Sequence, residues 1–351
     1  MEKVSSKIIY DLAVIGNGIA AQSFLWNLSL SANKSQNFSI AHVFSNQIAP
    51  PCSNKSSATV SLNGIEEDVS QLGNDMREAF FLFDELVKNH HPEGVESVTR
   101  TVISTNEIET KKLTRRYKSL IDVKSDRLIN SYPGIEYNSY IISPEIFSNW
   151  LKVNTAIEKT EYPYFVRDIT KVEDDFQIKL QSGEVIVSKK ILFAIGAYGK
   201  IFERLYAPPG ADSIEVKNMI KAGSYLEREV NLGDKSFYLS IDGNQVLYRK
   251  NTFESKLIIG SITTIGAYEA PDVAGLFSLH EKLRGLLTFD LGDFKNFKVV
   301  TGLRHKGPKR LLISECLDND KKLYRINGLY KNGYTLGFLA AKRMKNLIFI
   351  P

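Results

Sequence analysis

Gly16-Asn17-Gly18-Ile19-Ala20-Ala21 is the first stretch of this sequence whose residue types and spacing could do chemistry. In a Gly-x-Gly-x-x-Ala run the first glycine permits a tight turn. The second has no side chain, so a pyrophosphate can approach the backbone, and the alanine lets a helix pack close on a strand. The free N–H groups and positive dipole end of that helix would then face the phosphates. Ser53-Asn54-Lys55-Ser56-Ser57-Ala58-Thr59-Val60 is a second candidate, a run of small residues that lets backbone pass close to a bound molecule. The other chemistry-bearing residues offer less. Cys52 and Cys316 make neither a disulfide framework nor a metal spacing, and the five histidines are scattered. Adjacent His90 and His91 point apart on most backbones, so no metal site is expected.

The elements that must position these residues are readable on either side of them. Ile8–Ile15 is a short apolar run that reads as a buried parallel strand ending at Gly16. Phe24, Leu25 and Leu28 recur at helical spacing over Gln22–Leu30, and Phe38–Phe44 reads as a second strand. Strand, glycine turn, helix and strand make a βαβ unit with the dinucleotide fingerprint in its proper context. The second strand ends Val43-Phe44-Ser45-Asn46 with no acid, leaving Ser45 or Asn46 for a ribose hydroxyl. Further on, Tyr140–Ile142 reads as a strand running into a helix, with Ser143 as N-cap and Pro144 at the first helical position. Phe176–Leu180 and Glu184–Val187 read as a hairpin through Ser182-Gly183, and Lys190–Gly199 as an apolar strand ending in a glycine bend. Arg325–Gly337 leads into a helix that runs to about Leu347. Asp75–Asn89 reads as an amphipathic helix with Met76, Phe80, Phe83 and Val87 on its core face.

Composition bounds the rest. The chain has 351 residues, room for two domains. At 43% hydrophobic and 24% charged it is globular rather than disordered or coiled-coil. The net charge of +5 is thinly spread, and Lys111, Lys112, Arg115 and Arg116 read as a solvated helix face, so no nucleic-acid partner is expected. No apolar run reaches the roughly 18 residues of a membrane span, and the start of the chain is polar, which predicts a cytoplasmic protein. Oligomeric state is left open.

Taken in order, these pieces resemble a family: the FAD-dependent amine and amino-acid oxidases of the D-amino-acid oxidase superfamily, most of all its glycine-oxidase members. The resemblance is carried by the fingerprint, the Lys55–Thr59 loop, Ile142-Ser143-Pro144, Ala194-Ile195-Gly196-Ala197, Gly302-Leu303-Arg304 and Lys331-Asn332-Gly333. It implies an α/β fold, α+β overall, with a Rossmann-like FAD-binding domain and a second, antiparallel-sheet substrate domain. The FAD domain would be discontinuous, from 1–75, 141–206 and 300–351, and the substrate domain would take 76–140 and 207–299. Its strands are expected over Ser236–Ile241, Gln245–Lys250, Lys256–Thr263 and Phe297–Arg304.

The resemblance also implies roles. Gly16, Asn17, Gly18, Ala20 and Ala21 would hold the FAD pyrophosphate, with Ser45 at the ribose. Ser56, Ser57 and Ala58 would pass near the flavin or ribityl chain, and Ala194 and Gly196 would line the ADP side. Asn332, Gly333, Tyr334 and Thr335 would lie at the flavin pyrimidine ring. FAD would be non-covalent, since neither a cysteine nor a histidine stands at the family's attachment positions. Arg304 would bind the substrate carboxylate, with Lys331 beside the same pocket. Tyr248 lies where a substrate-facing strand is expected, core packing being its other role. His305 follows Arg304 where the family usually has proline. Lys256 lies in the region of the family's oxygen-activating lysine, so the electron acceptor stays open. The implied reaction is oxidation of a small amine or amino acid to an imine by hydride transfer to flavin N5. Alternatives are dehydrogenation of a 2-hydroxy acid, tailoring of an amino group on a larger molecule, or a non-catalytic flavin-binding accessory role.

Overall fold

The computed structural model describes residues 8–30, 38–62, 70–117, 119–201, 219–266 and 270–349. By contacts the chain divides into two compact units. One is Met1–Asn54, Ser148–Ile220 and Arg304–Pro351; the other is Lys55–Phe147 and Lys221–Leu303.

The first unit is built on a six-stranded sheet. Its strand order is Ile313–Cys316, Leu323–Asn327, Ile191–Phe193, Leu12–Ile15, Ile40–Val43 and Lys159–Tyr162. All neighbours run parallel except Ile313–Cys316, which pairs antiparallel with Leu323–Asn327. The central strand is buried along its whole length, and its side chains divide by the two-residue period of a strand. Leu12 and Val14 pack with Phe24, Leu25 and Leu28 of the fingerprint helix and with Ala340, Ala341 and Met344 of the C-terminal helix. Ala13 and Ile15 pack on the other face, with Val166, Ile169, Phe176 and Ile178. Those residues come from a small sheet of Ile9–Tyr10, Val185–Ser188, Asp175–Leu180 and Val166–Val172. The hairpin expected at 176–187 is thus present, with a third strand beside it.

The single strand expected over Ile8–Ile15 is two strands in different sheets. Asp11 breaks it: its carboxylate accepts from Ser39 N and Ser39 Oγ, each at 3.0 Å, and from Lys189 Nζ at 2.8 Å. The fingerprint helix spans Ile19–Ser29 and the C-terminal helix Gly333–Phe349. They approach closely because a Cβ on Gly337 would stand 3.3 Å from Ser23 Oγ and 3.4 Å from Ile19.

The second unit carries a nine-stranded sheet. Its path runs Lys298–Lys306, Met219–Glu229, Ser255–Ile265, Asn244–Lys250, Phe237–Ile241, Val95–Ile103, Tyr132–Ile142 and Thr59–Val60, with Ile121–Val123 also pairing Tyr132–Ile142. Four of these strands lie close to their expected positions. The Val95–Ile103/Tyr132–Ile142 pair was not anticipated, and Phe237–Ile241 runs parallel to Val95–Ile103, so the sheet is mixed. Val246, Tyr248, Leu257 and Ile259 face a core shared with Leu276, Leu279 and Leu283 of the helix Val273–Arg284. Leu247 and Ile258 face the opposite side with Tyr225 and Tyr238.

Residues 55–75 and 141–147, expected with the dinucleotide domain, group by contact with the second unit. The cause is pairing of Thr59 with Ile141 and Val60 with Tyr140, and a bond from Ile142 N to Ala58 O. The expected domain limit at 206/207 lies outside the described residues, as does the polar loop before Phe38. The helix expected over 75–89 spans Gln71–His90, capped by Ser70 and ended by His91 in the left-handed region. The basic cluster lies on the helix Glu107–Arg116, where Lys111 pairs with Glu107 and Lys112 with Glu109. No helix among the described residues is long and apolar enough to cross a membrane.

Candidate functional site

The fingerprint turn is held from both sides. Gly16 has φ +127°, and a Cβ there would stand 2.3 Å from Ala194 O, so only glycine fits. Its N–H donates to Val43 O at 2.8 Å, and its carbonyl lies 2.8 Å from His42 Nε2. A carbonyl can only accept, so Nε2 carries the proton. In a trans peptide the C=O and the next N–H point opposite ways, so this bond turns Asn17 N–H away from His42. His42 Nδ1 stands 3.8 Å from Glu161, an ion-pair distance rather than a hydrogen bond. The Glu161 carboxyl is held down at about 2 by its approach to His42 and the charges of Lys159 and Lys152. Asn17 is buried; its amide donates to Asn46 Oδ1 and its backbone carbonyl accepts from Gln22 Nε2.

Gly18 is the N-cap of the fingerprint helix, with extended backbone and no side-chain cap. A Cβ there would meet Pro51 and Ser53 only at 3.7 Å, an ordinary contact. Packing within the protein therefore does not demand glycine at 18, whereas it does at 16. Ile19 N donates to Ser53 Oγ, and Tyr334 Oη, from the first turn of the C-terminal helix, donates to Ser53 O. A Cβ on Gly333 would lie 3.5 Å from Ile19. The starts of the two helices thus meet at one place, and neither has an acid in its first turn. Two positive dipole ends converge there, which suits an anion. Asn332 accepts Leu336 N on its carbonyl, opening the C-terminal helix, and Thr335 is buried behind it. Ala194 N bonds Ile15 O, and Gly196 O accepts from Asn327 Nδ2 at 3.0 Å. Ala20 and Ala21 are buried on the helix face against the sheet. Ser45 Oγ accepts Ile48 N and so closes its own turn.

Arg304 groups by contact with the same unit; it lies near the end of the strand Lys298–Lys306, whose residues up to Leu303 group with the second unit. It is only 9% exposed, and its Nη1 is buried with no hydrogen-bond partner among the described residues. Its neighbours tie it to Lys331. Tyr330 N donates to His305 O, Gly328 N donates to His305 Nδ1, and Lys306 bridges Leu329. Lys331 is pushed down to about 8 by desolvation of its ammonium and by the charges of Arg304 and Arg310. The residue keeps an exposed surface, so solvent trims the effect, but two neighbouring cations fix its direction.

The remaining candidates stand in the second unit. Ser56 Oγ accepts Ala58 N, Ser57 Oγ donates to Gln245 Oε1 at 2.7 Å, and Ala58 has φ +50°. Tyr248 is corrected to a core residue. Its side chain is 0% exposed; its hydroxyl accepts Leu232 N, donates to Gly233 O and lies 2.8 Å from Ser255 Oγ. Nothing of it is left to face a substrate. Lys256 Nζ stands within 4 Å of both Glu227 and Glu254. Among the described residues no His, Cys, Asp and Glu gather to hold a metal.

The structure therefore brings Gly16, Asn17, Gly18, Ala20, Ala21, Ser45, Ala194, Gly196 and Asn332–Thr335 into one unit with Arg304 and Lys331. It does so through His42, Gln22, Ser53 and Asn327, to which the sequence reading gave no such role. Their signal was faint: polar residues on or beside buried glycine-rich turns.

No protein-family model matches the chain, and no curated protein matches it in sequence. Solved structures do match. Glycine oxidase from Geobacillus kaustophilus superposes with a TM-score of 0.74 at 18% identity, over 97% of this chain and 94% of that one. L-α-glycerophosphate oxidase from Mycoplasma pneumoniae with FAD bound gives 0.77 at 15%, over 97% and 95%. L-proline dehydrogenase from P. horikoshii gives 0.76 at 12%, over 98% and 94%. At these identities the likeness establishes a shared fold, the α/β fold expected from the resemblance.

Proposed function

We propose that this chain binds FAD non-covalently and oxidises a small amine or amino acid. One juxtaposition carries the reading. A glycine turn at the meeting point of two helix N-termini shares a unit with a buried arginine that has no protein counter-charge among the described residues.

The residues present fit the cofactor. Gly18 gives the helix start no side-chain cap of its own, and its missing Cβ is not explained by packing, so a pyrophosphate can close on the backbone there. Asn332–Thr335 would present the second helix start to an anionic ring edge. Bound FAD supplies the two-electron acceptor for the C–H bond being broken. The chain's own part is to bind and orient. Arg304 would grip the substrate carboxylate as a fork of parallel N–H donors, presenting the neighbouring C–H in one direction. Burial strengthens that grip, because the guanidinium has already lost its water. Lys331 adds positive charge beside it. No side chain need act as a dedicated base if the amine reacts in its neutral form. The fold's occurrence in glycine oxidase and L-proline dehydrogenase supports the reaction class.

The test is the visible spectrum of freshly purified protein, with FAD added if it is colourless. A flavin spectrum that bleaches anaerobically with amines or amino acids is the expected result. Bleaching by 2-hydroxy acids alone would replace the substrate class. No flavin at all would remove the reading.

A further inference from the structure

We propose that the site takes a substrate with a dianionic head: one carboxylate held by Arg304 and a second acidic group, carboxylate, phosphonate or phosphate, held by Lys331 and Arg310. This deepens the reading above and rests on it.

The charge distribution is the first ground. Residues 304–351 hold eleven Lys and Arg against three acids, Glu315, Asp318 and Asp320. All three acids are engaged elsewhere. Glu315 pairs with Arg325, Asp320 with Lys171 at 2.6 Å, and Asp318 accepts Lys322 N and Leu323 N. None reaches Arg304, Lys331 or Arg310. From Lys321 to the end of the chain there is no acid at all.

The second ground is geometric. The three cations hang from one backbone knot. Tyr330 N on His305 O sets Lys331 beside the Arg304 strand. The turn that carries Arg310 is folded hard against that knot, and the charge of Arg310 acts on Lys331. Arg310 N bonds Gly307 O and Leu311 N bonds Pro308 O. Leu311 O presses so close that a Cβ on Gly307 or Gly328 would stand 2.5 or 2.6 Å from it. Lys309 and Arg310 both adopt left-handed backbone, φ +50° and +65°, to make that turn. Non-glycine residues do so at some expense, which signals a chain held by its surroundings.

The third ground is electrostatic. Lys331 is pushed down to about 8, first by desolvation of its ammonium and then by the like charges of Arg304 and Arg310. The buried Arg304 Nη1 has no partner among the described residues to offset its desolvation. A monocarboxylate answers one charge of three. A dianion answers two, and it draws a proton back onto Lys331.

The test titrates the flavin-loaded protein with acetate and with malonate at pH 8. Calorimetry in two buffers of different ionisation heat counts protons, and flavin absorbance reports binding beside the cofactor. We expect malonate to bind roughly tenfold or more tightly than acetate, with a flavin band shift and uptake of about half a proton. Lys331→Met should abolish the uptake. Arg310→Gln should cut the malonate-to-acetate ratio roughly tenfold. Arg310→Gly should do the same while accepting the left-handed backbone, so a loss seen in both is loss of charge. Equal affinities, a preference that survives both Arg310 variants, or binding that leaves the flavin spectrum still would each overturn the proposal. Absence of flavin or of bleaching strikes the enzyme reading instead, and is seen before any anion is added.

Discussion

Arg304 is a buried charge whose Nη1 finds no hydrogen-bond partner among the described residues. A hydrogen bond to a charged group contributes about 1.5–3 kcal/mol. Arg304→Ala should therefore lower kcat/KM by roughly 10- to 150-fold, with KM carrying much of it if binding and turnover share the contact. Arg304→Met should raise the Tm of the protein while lowering kcat/KM by a similar factor, since it replaces a buried cation with no partner among the described residues by an apolar side chain. A lowered Tm would show that the arginine is structural. Tyr248→Phe makes the opposite case. It strips a hydroxyl that satisfies Leu232 N and Gly233 O in the core, so stability should fall by about 1–3 kcal/mol with KM unmoved. Lys331 sets a pH window. Its folded pKa lies near 8, below the ordinary 10.5, so between those values the unfolded chain binds more protons. Its contribution to stability therefore rises with pH from about 8 to 10.5, and the rise should vanish in Lys331→Met, as urea titrations across that range would read.

The two glycines of the fingerprint separate folding from binding. Gly16→Ala puts a Cβ 2.3 Å from Ala194 O at a left-handed φ, so the turn must move and stability should drop measurably in thermal melts. Gly18→Ala meets only contacts of 3.7 Å, so the melt should stay close to that of the parent while FAD affinity, read by fluorescence quenching, falls. A Gly18→Ala protein that binds FAD as tightly as the parent would argue against a pyrophosphate at this helix start. Much at this scale was legible. The fingerprint helix, the 176–187 hairpin and the C-terminal helix follow from apolar periodicity and turn residues, and four strands of the second unit from the family resemblance. What escaped was decided by side chains meeting across long sequence gaps. Asp11 broke a strand that hydropathy reads as continuous, because Ser39 and Lys189 fold onto it.

Across the molecule, charge is unevenly shared: the last 48 residues carry a large basic excess within a chain of net +5. A ligand that binds only the folded form stabilises by mass action, about 2.7 kcal/mol at a hundredfold excess over its Kd. Tm should therefore climb with FAD concentration. Arg304→Ala, which touches the substrate end alone, should preserve that climb. A Tm indifferent to FAD would contradict the cofactor assignment. Both units are assembled from separated stretches of chain, so each sheet joins residues more than a hundred positions apart.

The amino-acid sequence by itself determined the local devices. Gly16, Gly18 and Ala21 specify a turn and a helix start, because backbone freedom and side-chain size are properties of single residues. The buried strand before them and the helix after them follow from period alone. Tertiary structure alone decided which distant groups meet. His42 reaches the carbonyl of Gly16, Ser53 links the starts of two helices, and Tyr248 turns inward to a saturated hydroxyl. The charges of Arg304, Arg310 and Lys331 act on one another without a paired carboxylate among the described residues for the same reason. Their proximity depends on one knot of hydrogen bonds between strands, and periodicity carries no information about which strands will be neighbours.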